Sequence, residues 1–119
     1  MPKDPQPNPS TPPNGTYTST CGADFSSWDG SFTYDNTTKI IVYTTTSPSF
    51  TYPDTTNKSN GNAIVFDLTN TNVTPNVKVQ FNGPTFAYTG PNGNKAQYSG
   101  NCEQKGPGAG QDGWTATQE

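Results

Sequence analysis

Asn76-Val77-Lys78-Val79-Gln80-Phe81-Asn82 decides how the rest of the chain reads: Val77, Val79 and Phe81 fall on one side, Lys78 and Gln80 on the other. Period-two alternation of this kind describes a strand with one face on a core and the other in water. Just upstream, 62–68 reads as a more central strand, with Ile64, Phe66 and Leu68 on one face and Ala63, Val65 and Asp67 on the other. Downstream, 85–89 and 95–99 flank Gly90-Pro91-Asn92-Gly93-Asn94, the mark of a hairpin with a five-residue loop. Toward the N-terminus, 15–21, 30–35 and 38–46 read as strands, with Asp35-Asn36 turning between the last two. Residues 49–52 read as a short edge strand that Pro53 ends, and 54–62 as a polar loop. No window has helical periodicity. Seven to eight short strands with Gly, Pro and Asn punctuation predict an all-β antiparallel β-sandwich, jelly-roll or immunoglobulin-like.

The core must be thin. Leu, Ile, Val and Phe number 15 in 119 residues, below the roughly 20% at which disorder becomes a serious alternative. Disorder by that route also needs strong net charge, and six Lys against nine acids leave only −3. Cys21 and Cys102 bracket nearly all of the strand pattern. With no His and no CxxC, a metal or thiol-redox site has no signal, so the pair is expected to form a disulfide. It would close a loop of about 80 residues and stabilise the fold by about 4 to 5 kcal/mol in the chain-entropy model. The expected organisation is a Pro-rich linker over 1–14, a disulfide-closed module over 15–102 and a Gly-rich tail or linker over 103–119. Such a module is expected to be secreted or surface-displayed, with the export signal upstream, because Met1-Pro2-Lys3-Asp4 opens no apolar stretch.

The absence of Arg and the acidic balance argue against nucleic acid, and no apolar run is long enough to span a membrane. Catalysis lacks parts: the chain has no His, and its only Glu residues, Glu103 and Glu119, lie in the flank. No enzyme activity and no cofactor are expected. Asp24, Asp29, Asp35 and Asn36 are the best oxygen cluster for calcium, yet Asp and Asn favour turns for their own hydrogen bonding and no spacing matches an established loop. Asn14, Asn36, Asn57 and Asn72 each begin an Asn-X-Ser/Thr triplet.

Aromatic residues carry the functional reading. Sugar rings present flat C–H faces that pack on aromatic planes, and their hydroxyls need amide, hydroxyl and carboxylate partners. Trp28 with Asp29, Tyr34, and Tyr88 near Asn92 and Asn94 each combine a ring with polar groups, and Trp114 adds a ring beyond Cys102. These five, Trp28, Asp29, Tyr34, Tyr88 and Trp114, are the candidate ligand contacts. The Pro/Thr flank, near-terminal cysteines, few charges, abundant Thr, Asn and Gly, and scattered Trp and Tyr resemble the small carbohydrate-binding modules of secreted polysaccharide-degrading enzymes. That resemblance implies a non-catalytic β-sandwich that recognises polysaccharide or cell-surface glycan. The alternative is a structural or adhesive domain of a microbial surface protein, extracellular fibre or virion, with neighbouring domains or like subunits as partners.

Overall fold

The structure, a computed structural model, describes residues 11–52, 55–90, 93, 95–106 and 108–119. The chain runs through β1 (Gly15–Cys21), a 3-10 helix (Ala23–Trp28), β2 (Gly30–Tyr34), β3 (Ile41–Thr46), β4 (Ser49–Tyr52), β5 (Thr55–Asn57), β6 (Ile64–Asn70), β7 (Val77–Thr89), β8 (Lys95–Lys105) and β9 (Gly110–Gln118). All nine strands belong to one antiparallel sheet in the order β4-β3-β2-β1-β9-β8-β7-β6-β5. Read around a circle, each strand lies beside its neighbour in sequence, which is an up-and-down meander curled nearly into a barrel. The all-β antiparallel expectation holds. The two-sheet sandwich of seven to eight strands does not: short turns join adjacent strands here, whereas sandwich topologies use long Greek-key connections.

Closure depends on β9, from the segment expected to be a tail. β9 pairs with β1 (Tyr17↔Gln118 through Cys21↔Trp114) and with β8 (Gln97↔Thr117 through Gln104↔Gly110). Trp114, 1% exposed, is driven into the core. At the opposite terminus only 11–14 of the expected linker is described, and it packs on the barrel: Pro12 is buried, and Tyr17 Oη donates to Pro13 O at 2.6 Å.

Tyr17, Phe32, Tyr43 and Tyr52 stand directly opposite one another on β1 to β4. Tyr17 stacks on Phe32 at 5.2 Å, Tyr43 on Phe81 at 5.0 Å, and Phe66 on Phe81 at 4.9 Å. Aromatic rings thus replace the missing aliphatics, each fully buried ring being worth about 1.5–3 kcal/mol. One outward row is polar: Gln97, Thr117, Thr18, Ser31, Thr44 and Thr51 stand uncharged across six strands. Lys78 projects outward as expected, 3.8 Å from Asp67. Among the described residues no helix is long and apolar enough to cross a membrane.

The expected disulfide is not formed. Cys21 and Cys102 are buried free thiols, on β1 and β8 with β9 between them: Cys21 faces Trp114 and Cys102 faces Asp112. Strands once removed in a sheet lie about 9–10 Å apart, beyond the Cα separation a disulfide tolerates. The hydrogen bond to Cys102, then burial, holds the Cys21 thiol protonated, and Cys102 Sγ lies 3.7 Å from the carbonyl oxygens of Asp112 and Gly113.

Candidate functional site

β4 ends at Tyr52 and β5 begins at Thr55. β4 pairs with β3 (Tyr43↔Tyr52 through Thr46↔Ser49), β5 with β6 (Thr55↔Leu68 through Asn57↔Phe66). The two short strands are halves of one broken stave that changes partner. Pro53 and Asp54, at the break, lie outside the described residues. On the β5 side the seam is stitched: Thr55 Oγ1 donates to Ile41 O at 2.6 Å and Asn57 Nδ2 donates to Lys39 O at 3.2 Å. On the β4 side, β4 has no strand partner facing the end of β6 among the described residues, and a wedge of about 300 Å³ opens.

Ser27, Trp28, Thr45, Pro48, Phe50, Tyr52, Asn70 and Asn72 line this wedge. Phe50 and Tyr52 alternate with Ser49 and Thr51, so both rings turn toward the barrel interior. With no neighbouring stave to cover it, Phe50 remains 42% exposed. The rings step inward from Phe50 to Tyr52 at 4.6 Å and from Tyr52 to Trp28 at 5.9 Å. Trp28, at the end of the 3-10 helix, forms the floor and is only 6% exposed.

A buried polar chain holds that floor. Trp114 Nε1 donates to Ser19 Oγ at 2.7 Å, Ser19 Oγ lies 2.8 Å from Tyr43 Oη, and Tyr43 Oη donates to Trp28 O. A phenol has one proton and a carbonyl only accepts, so Tyr43 takes the Ser19 proton while giving its own to Trp28. Trp28 Nε1 is engaged as well, donating to Gln104 Oε1 at 2.8 Å. Trp28 therefore offers the wedge carbon surface alone.

The remaining polar groups are differently disposed. Thr45 Oγ1 donates to Pro48 O at 2.8 Å, and Asn70 Oδ1 accepts from Asn72 N at 2.9 Å. The hydroxyls of Ser27 and Tyr52, the Nδ2 group of Asn70 and the side-chain amide of Asn72 have no protein partner among the described residues. Burial raises the Tyr52 pKa, so its phenol stays protonated and the described lining residues carry no charge at neutral pH.

Of the five expected contacts, Trp28 alone lines the wedge, as a buried floor rather than an open platform. Asp29 turns away, its Oδ1 accepting from Cys21 N at 2.8 Å. Tyr34 is buried at the far end of β2, and Trp114 belongs to the core. Tyr88, half-buried near the tip of the β7–β8 hairpin, packs on Phe86 at 4.8 Å; Asn92 and Asn94 lie outside the described residues. The proposed calcium ligands do not gather: Asp24 is exposed on the helix, Asp29 is bonded to β1, and Asp35, beyond the other end of β2, accepts from Thr37 N at 2.7 Å. Phe50, Tyr52, Asn70 and Asn72 were not singled out from the sequence. Their one local signal is the pair of aromatics two apart in an edge strand stopped by Pro53. No family model, curated protein or solved structure matches the chain.

Proposed function

We propose that this protein is a non-catalytic glycan-binding domain acting outside the cell, with the wedge beside β4 as its binding site. The observation that carries the reading is the pairing of stepped rings, Phe50, Tyr52 and Trp28, with hydroxyl and amide groups that no atom of the described residues engages. Ring faces suit sugar C–H surfaces, and the unengaged groups suit sugar hydroxyls. The described lining residues include no carboxylate and no His to move protons, which favours recognition over hydrolysis. The extracellular setting rests on the glycan partner and the style of the flank, since free thiols add nothing to it.

Retention on a panel of soluble and insoluble polysaccharides tests this. Phe50→Ala should weaken retention about three- to tenfold, the worth of one aromatic contact, and lower the unfolding midpoint less than truncation of a fully buried ring, because Phe50 is 42% exposed. Retention of the intact protein on none of the panel defeats the reading. The unpaired edge of β4 favours a second reading, a structural or adhesive domain that accepts a strand from a like subunit. A concentration-dependent rise in mass, abolished by Thr51→Pro, would support it.

A further inference from the structure

Resting on that glycan reading, we infer that the wedge receives the terminal unit of a neutral saccharide chain and excludes chain interiors and uronic acids. Three features carry this. First, on its β5 side the gap between β3 and β6 is bridged, since β5 pairs with β6 at Thr55↔Leu68 while Thr55 Oγ1 donates to Ile41 O on β3. An internal chain segment needs a groove open at both ends, whereas a gap bridged on one side suits a chain end. Second, about 300 Å³ lies at the bottom of the range for small-molecule sites, room for a ring or two. Third, the polar groups of the described lining are neutral, and the Asn70 side-chain oxygen already accepts from Asn72 N. A carboxylate brought against Trp28 and Phe50 would lose water without meeting a cation among the described lining residues.

The test uses the neutral polymer that retains the protein best, before and after partial hydrolysis at constant sugar mass, read by isothermal titration calorimetry. The methyl glycoside of its terminal sugar and the corresponding uronate serve as small probes. Binding capacity should rise in proportion to the number of chain ends, and the uronate should bind at least about tenfold more weakly than the neutral glycoside. Asn72→Ala should lower affinity for the glycoside about tenfold with an unchanged unfolding midpoint; unchanged affinity overturns the assignment to the wedge. Capacity that stays level or falls on hydrolysis, or equal binding of the uronate, overturns the chain-end inference while the glycan reading stands. Absence of binding to every polymer and glycoside removes the glycan reading itself.

Discussion

Replacing Ser19 with Ala removes one oxygen and disturbs the floor of the wedge from behind. Ser19 is 1% exposed, and its hydroxyl links Trp114 Nε1 at 2.7 Å to Tyr43 Oη at 2.8 Å. In Ser19→Ala the indole N–H of Trp114 is left buried without an acceptor, at about 1–3 kcal/mol. Tyr43 still donates to Trp28 O but loses the proton it accepted, adding about 0.5–1 kcal/mol. The expected loss is about 1.5–4 kcal/mol, or roughly 6–16 °C in Tm for a domain of this size. Guanidinium unfolding followed by circular dichroism measures it, with Tyr43→Phe and the double variant completing a cycle. Because the groups form one chain, the double variant should be less destabilised than the sum of the singles by about 0.5 kcal/mol or more. A loss below about 0.5 kcal/mol for Ser19→Ala, or strict additivity in the cycle, would refute the network.

Alkali should unfold the protein cooperatively. Burial raises the pKa values of Tyr17, Tyr43 and Tyr98 above 10.0, so the native state keeps protons that the unfolded chain releases. Their contribution is complete below about pH 10 and declines above it by about 1.4 kcal/mol per pH unit for each tyrosine; stability that stays flat to about pH 11.5 speaks against this. Gly83→Ala should destabilise by about 1–3 kcal/mol, because the added Cβ would sit 2.8 Å from the Trp114 ring and 3.0 Å from Tyr98 Cβ. A neutral Gly83→Ala in thermal melts would mean that the barrel wall yields there. Thiol titration in guanidinium without reductant should count two sulfhydryls, both slow to react in the native protein because they are buried; a count of zero would restore the disulfide.

Strand character was readable wherever a core face repeats every second residue. Val77, Val79 and Phe81 against Lys78 and Gln80, and Ile64, Phe66 and Leu68 on one face, fold with the sidedness their alternation implies. This works because alternation is a local property of an extended backbone. β9 was hidden because Gly-rich surroundings masked Trp114 and Ala116, an inward pair with few apolar neighbours in sequence. The five candidate contacts were chosen for local company, and local company does not say which rings a core will claim: Tyr34 and Trp114 are both buried in it.

Composition and alternation alone were sufficient for an antiparallel all-β chain with little charge and no catalytic histidine. Barrel closure, the fate of the thiols and the location of the wedge emerged only in three dimensions. Each depends on partners far apart in the chain: β1 meets β9 so that Ser19 reaches Trp114, β9 separates Cys21 from Cys102, and the stave between β3 and β6 changes partner midway. Local preference sets which face of a strand is apolar, but a cleft is a gap between strands, and the curled sheet determines where such a gap falls.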